Sequence, residues 1–313
     1  MRAIVLEKFG GLDSLVYKEI PDPEPKPGHV VIEIKAFGIN HAEMHMRRGE
    51  WAEAAEVSGI ECVGLVKSCP GGEFPVGAKV AALMGGLGRT INGSYAEYTR
   101  APVSNVALIE STLPWAELAA IPETYATAWT CLFRNLEIVK GQTLLIRGGG
   151  SSFGRAAINM AVTAGVRVIA TARSQDRSAT LEELGVARVE IEGPDLSQRI
   201  AEAKQLDAVL DLVGNSTILD SLAMLRRGGR ACLAGWLGRA RAHQGFQSAA
   251  ANVERRLSHF LRQLRVWHAG FPAVRRAAPG NRAAGRGRQA QGQAEPRVRL
   301  RGDPRSTSRH GGR

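Results

Sequence analysis

The stretch Leu144-Leu145-Ile146-Arg147-Gly148-Gly149-Gly150-Ser151-Ser152-Phe153-Gly154 constrains this 313-residue chain more than any other. An apolar run meets a cluster of small residues, and a helical pattern follows in Arg155-Ala156-Ala157-Ile158-Asn159-Met160-Ala161. A phosphate-binding strand, turn and helix is built this way. Glycines let the backbone approach a pyrophosphate, and the helix N-terminus offers unpaired N–H groups and the positive end of its dipole. A lone glycine cluster also fits an ordinary loop, so the downstream order matters. Residues 165–173 form a β-branched run that reads as the second strand of a βαβ unit. A helical pattern over 178–184 ends at Gly185, a fitting C-cap. Further strands are expected over 187–191, 208–213 and 230–234. Strands that alternate with helices predict an α/β fold with a parallel, doubly wound sheet, and make the glycine cluster a dinucleotide site.

The tip of the second strand speaks to the cofactor. An NAD-type fold places Asp or Glu there to hold the ribose 2′-hydroxyl. Here the sequence is Thr171-Ala172-Arg173-Ser174-Gln175-Asp176-Arg177, with no acid at the tip. Arg173, Ser174 and Arg177 suit a 2′-phosphate, because a guanidinium forks onto phosphate oxygens. The plainer reading is a solvated loop with surface arginines. The expectation is NADPH.

The first part of the chain has a different grammar. Residues 1–6 open as a strand, and Pro21, Pro23, Pro25, Pro27 and Gly28 exclude a helix from the loop that follows. Residues 29–36 alternate as a strand. Short segments at 59–66, 76–80 and 93–98, separated by Gly and Pro turns, predict a small, mostly β domain.

Taken in order, the 38–40 turn, 59–66, 76–80, 93–98, Tyr125-Ala126-Thr127-Ala128-Trp129, the 148–154 loop and 207–214 resemble the medium-chain dehydrogenase/reductases. Within that superfamily the zinc-independent quinone oxidoreductase-like branch fits best, over about residues 1–238. The resemblance implies a GroES-like catalytic domain over 1–118 and a Rossmann domain over 119–238, incomplete at its end, with NADPH between them. A homodimer is implied for the intact family form. It also implies that Asn40 lies near the nicotinamide and Thr127 near the cofactor. The cofactor contacts it implies further along are Gly148, Gly149, Ser151, Ser152, Gly154, Val213 and Gly214. Asn40 also reads as an ordinary turn residue.

In this family a catalytic zinc needs Cys near position 40 and His beside Glu61. Asn40 and Ile60 stand there instead. An amide and an alkyl chain supply neither the thiolate nor the imidazole that zinc prefers. Cys62, Cys69, Cys131 and Cys232 lack the close spacing of a structural zinc site. His41 and His45 are spaced i, i+4 but lack a third ligand and read as surface histidines. No metal is expected. Without a Lewis acid the acceptor must already be electrophilic, such as a small-molecule quinone or an α,β-unsaturated ketone. The protein then mainly positions the reactants. No general acid stands out; Tyr95, Tyr125, His41 and water are candidates. The rival reading is a protein that binds NADPH without turning it over.

From about Arg239 the composition changes. Residues 239–313 hold 17 arginines, no lysine and three acids, Glu254, Glu295 and Asp303. The chain's net charge of +11 therefore resides in this segment, and the remainder is slightly acidic. Rich in Ala, Gly, Gln and Pro, the segment reads as low-complexity and disordered. Three readings fit: an out-of-frame translation, a solvated tail, or a phosphate-attracting arm. The out-of-frame reading is preferred, since the resemblance stops where the sheet still needs its last strand. A basic amphipathic helix is readable over 253–266. No specific nucleic-acid target is expected, and no membrane partner, since no run reaches transmembrane length. Residues 1–20 lack the apolar core of a signal peptide. With few, unpatterned cysteines, this points to the cytoplasm.

Overall fold

A computed structural model describes residues 1–51 and 53–235. The arginine-rich segment, the helix expected over 253–266 and the expected end of the second domain at 236–238 lie outside the described residues. The first domain opens with β1 (Arg2–Leu6) and β2 (Leu15–Glu19), an antiparallel pair. It continues with β3 (His29–Ala36), α1 (His41–Arg47), β4 (Glu61–Ser68), β5 (Lys79–Leu83), β6 (Tyr98–Pro102) and β7 (Val106–Leu108). Strands β3 to β7 form an antiparallel sheet in the order β6-β3-β4-β5-β7. Its strands put Val30, Ile32, Cys62, Val66, Val80 and Ala82 into one buried cluster. The strand expected over 93–98 is corrected: β6 begins only at Tyr98. Ahead of it the chain presses against the loop before β4. A Cβ on Gly93 would lie 2.1 Å from the Gly59 carbonyl. The Ser94 and Tyr95 N–H groups donate to Gly59 and Ser58 carbonyls instead of joining a ladder.

Helices α2 (Trp115–Ala119) and α3 (Pro122–Trp129) join the domains. Leu118 and Ala119 of α2 pack against Val63 of β4. The expected boundary at 118/119 lies inside α2, one residue before its end. Pro122 at the first turn of α3 is where a missing N–H costs nothing. Helix α3 leans on β4 and β5 at one end and on the second domain at the other.

The second domain holds β8 (Thr143–Arg147), α4 (Ser152–Thr163), β9 (Arg167–Ala172), α5 (Ser178–Glu182), β10 (Arg188–Ile191), α6 (Leu196–Arg199), β11 (Leu206–Asp211), α7 (Ile218–Ala223) and β12 (Leu225–Leu233). All four strand pairings are parallel, in the order β10-β9-β8-β11-β12. This is a Rossmann arrangement with five of its six positions filled among the described residues. The central strands are buried on both faces, as a helix-covered parallel sheet requires. The last strand among the described residues, β12, begins at Leu225, five residues before the expected 230. Its first half, Arg226-Arg227-Gly228, is exposed, so no apolar run announces it. The strand order reverses between β8 and β11, and ligands of such sheets bind at the carboxyl ends there.

Candidate functional site

The loop after β8 is shaped by what cannot be larger than glycine. Gly148 sits at φ +80°, a left-handed geometry that costs other residues energy. A Cβ on Gly154 would meet the Gly148 carbonyl at 2.5 Å. Ser151 caps α4: its hydroxyl accepts from the Gly154 N–H at 3.0 Å and donates to the Gly148 carbonyl at 2.9 Å. The N–H groups of Ser152 and Phe153 in the first turn have no hydrogen-bond partner among the described residues. Free N–H groups at a helix N-terminus suit a pyrophosphate, so the cradle fits a dinucleotide.

The loop is braced from behind. The Gly148 N–H donates to the Thr171 hydroxyl at 2.9 Å, and that hydroxyl donates to Glu192 at 2.7 Å. Glu192 is ion-paired to Arg147, whose fully buried guanidinium also holds Asp220 at 2.7 Å. Across the switch point, Asp211 accepts the N–H groups of Val213 and Gly214 at 2.9 and 3.0 Å. Those two expected cofactor contacts therefore have their N–H groups committed to the turn. Arg173 and Arg177 are exposed and Ser174 half-buried after β9. The Arg177 guanidinium lies 3.9 Å from where a Cβ on Gly150 would stand, which brings the basic loop to the rim of the phosphate loop.

The second half of the site is a line of carboxylates that the sequence did not single out. The Asn40 side-chain amide donates to Glu61 Oε1 at 2.8 Å. Glu61 Oε2 accepts the backbone N–H of Glu123 at 2.8 Å. Glu123 Oε1 accepts the Thr127 hydroxyl at 2.7 Å. Thus Asn40 and Thr127, far apart in sequence, are joined through two glutamates. Glu43 stands behind Asn40, accepting the Asn40 N–H at 2.8 Å, the Ile60 N–H at 3.0 Å and the Tyr95 hydroxyl at 2.6 Å. Burial raises the pKa values of Glu43 and Glu61. Burial, opposed by the Thr127 bond and reinforced by the Glu61 and Glu43 charges, raises Glu123 to about 7.

These contacts sort the proton-donor candidates. Tyr95 is corrected: it is buried, stacked on Phe37 at 4.8 Å and committed to Glu43, and burial pushes its phenol far above the usual range. His41 is exposed, edge-on to His45 at 5.2 Å, and partial burial lowers its pKa. Tyr125 is half-buried against the core of the second domain. The sequence hid Glu123 because an acid after Pro at a helix start reads as an answer to the helix dipole. Glu43 had one signal, its place three residues after Asn40 at a helix N-terminus.

A family-implied zinc does not fit this donor set. The Asn40 amide is spent on Glu61, and Ile60 offers only its backbone N–H, taken by Glu43. Among the described residues no helix is long and apolar enough to cross a membrane.

Residues 26–111 match the family described as alcohol dehydrogenase GroES-like domain, and residues 153–272 the family described as zinc-binding dehydrogenase. The second match runs past Gly238, where the sequence reading ends the resemblance. The chain is 28% identical to human quinone oxidoreductase over 249 residues, 75% of this chain and 73% of that protein. A solved NAD-dependent alcohol dehydrogenase is similar at TM-score 0.70 and 29% identity, covering 78% of this chain and 81% of the other. A mycobacterial protein solved with NADPH is similar at TM-score 0.70 and 26% identity, covering 80% and 79%.

Proposed function

This chain belongs to the quinone oxidoreductase-like branch of the medium-chain dehydrogenase/reductases and is an NAD(P)-dependent oxidoreductase of the quinone reductase type, and from that premise we propose that it reduces a quinone or an α,β-unsaturated carbonyl with NADPH and without zinc. The observation that carries this reading is the Asn40–Glu61 bond. Where zinc would polarise a substrate oxygen, the chain has placed an amide hydrogen-bonded to a carboxylate. Such a site polarises an ordinary ketone weakly, so the acceptor must be electrophilic already.

When bound, the reduced nicotinamide supplies a hydride. The chain's own residues do the rest. The first turn of α4 holds the pyrophosphate by its N–H groups, and Gly148, Gly149 and Gly154 let the backbone come close. Arg173, Ser174 and Arg177 take the 2′-phosphate, Arg177 from beside Gly150. Asn40, fixed by Glu61, orients the nicotinamide ring, and Thr127 borders the reacting atoms. A homodimer is the proposed assembly and a small molecule the substrate. The cytoplasm is the proposed compartment.

The test is to titrate the full-length chain with NADPH and NADH, then offer a panel of quinones and enones. Preferential NADPH binding with turnover of at least one panel member supports the reading. Tight NADPH binding without any turnover favours the non-catalytic rival.

A further inference from the structure

The reduction consumes a proton as well as a hydride, and none of the side chains read from the sequence delivers it convincingly. Glu123 has the required placement. It lies one helical turn before Thr127 on the same face of α3, and its Oε1 accepts the Thr127 hydroxyl at 2.7 Å. Its Oε2 is enclosed and has no hydrogen-bond partner among the described residues. An ionised carboxylate in that position forfeits solvation without replacement, whereas a neutral carboxyl forfeits much less.

The surroundings favour the neutral form. From β4 the Glu61 carboxylate faces Glu123, and from α1 Glu43 adds negative charge. The Cys131 thiol on the helical turn after α3 is also near. Basic groups on the elements packed against α3 are engaged elsewhere or exposed. Lys79 of β5 donates to the Ser111 carbonyl and sits over Trp115; Arg134 sits over Trp129; Arg155 of α4 is exposed. No ion pair to Glu123 forms among the described residues.

We propose that Glu123 stores the proton of the reduction and resupplies it through the Thr127 hydroxyl to the acceptor's oxygen. This inference rests on the reduction proposed above. The two electrons come from the reduced nicotinamide, and nothing on the protein is oxidised. As negative charge develops on the acceptor's oxygen, the Thr127 O–H bond breaks and its proton forms the new O–H bond. Once the Thr127 hydrogen has turned from Glu123 to the acceptor, the Glu123 carboxyl donates from Oε1 along the same 2.7 Å contact, its O–H breaks, and Thr127 Oγ takes that proton. Glu123 is left as a carboxylate and regains a proton from water before the next turnover. A hydroxyl serves this step because it donates and accepts at once. From an enone the product is an enol, which tautomerises in water. The pKa of about 7 that burial gives Glu123 lets it be protonated before and ionised after the step near neutral pH.

The test compares the full-length chain with E123Q, T127V and T127S. Gln keeps the shape and the contact to Thr127 but holds no transferable proton; Val breaks the relay and Ser preserves it. Turnover at neutral pH is expected to fall about 100-fold in E123Q and T127V, with KM for NADPH unchanged in E123Q, and to stay within a few-fold in T127S. The wild-type rate falls as pH rises through about 7, and the E123Q rate does not. A second readout needs no turnover. The infrared difference between wild type and E123Q is expected to show a protonated carboxyl band at about pH 5 that disappears as pH rises through about 7 and shifts in T127V. Wild-type turnover and pH profile in E123Q overturn the proposal, and so does a carboxyl already ionised at the acid end. Should E123Q fold poorly, the T127V and T127S pair carries the kinetic arm. Should the chain reduce no acceptor at all, the function reading fails, while the infrared arm still decides whether the stored proton exists.

Discussion

Glu61 accepts the backbone N–H of Glu123 at 2.8 Å, and this bond ties β4 of the first domain to the first turn of α3. The other oxygen of the same carboxylate holds the Asn40 amide. One buried side chain thus sets the position of the residue expected at the nicotinamide and of the helix that carries Thr127.

Replacing Glu61 is therefore expected to disturb both sides at once. In E61A the Asn40 amide and the Glu123 N–H lose their partner, at about 1–3 kcal/mol for each buried group left unsatisfied. Gln keeps one acceptor oxygen and rescues only part of this. Calorimetric melting checks it: the expected order of stability is wild type, E61Q, E61A. Equal melting temperatures would show that the carboxylate is not holding the two segments.

Arg173 and Arg177 are the residues proposed to decide the cofactor. Only NADPH carries a 2′-phosphate, so the double alanine variant is expected to weaken NADPH and leave NADH little changed. Each lost charge-assisted contact is worth about 1.5–3 kcal/mol, which is roughly 10-fold or more in affinity. Fluorescence titration with both cofactors measures it. Equal losses for the two would mean that these arginines are surface charges only.

Arg147 braces the phosphate loop from behind. Its guanidinium is fully buried between Glu192 and Asp220. Arg147→Met leaves two carboxylates without their cation, and breaking a buried pair from one side costs about 3–5 kcal/mol. Urea unfolding is expected to show a loss of that order. Because Glu192 also holds the hydroxyl that receives the Gly148 N–H, weaker NADPH binding should accompany it.

Much of this architecture was readable in the sequence. The β8-loop-α4 unit could be read because its constraints are local: an apolar strand, glycines where a Cβ would strike backbone, and Ser151 as the cap. β9 and the turn at Gly185 followed for the same reason. The segment 93–98 was read as one strand because Tyr95 and its neighbours are apolar enough for it, while the contact that keeps its first residues off the sheet, Gly93 against Gly59, is long-range; Ala96 pairs only as a single bridge to Ala3. The Arg226-Arg227-Gly228 start of β12 was missed because its exposed residues carry no apolar signal. The carboxylate line was invisible for a related reason. Glu43, Glu61 and Glu123 each have an ordinary local explanation, and only the fold brings them together.

The buried carboxyls also fix a pH dependence. Glu123 rises from an ordinary 4.5 to about 7 on folding. Between those values the folded chain binds more protons than the unfolded one, so stability falls as pH rises through the window and levels off above it. Glu43 and Glu61 shift the same way and add to the slope. The Glu123 contribution is on the order of 3 kcal/mol. In E123Q that part of the slope should vanish, making the variant relatively more stable at alkaline pH. Parallel pH–stability curves for the two proteins would refute the assignment.

The most direct test of the central claim follows the absorbance of reduced nicotinamide while the full-length chain, freed of metal by a chelator, is mixed with a quinone. The account predicts that NADPH is consumed with that quinone or with a member of an enone panel, faster than NADH, and at the same rate before and after chelation. Loss of turnover on chelation, restored by zinc, would contradict it.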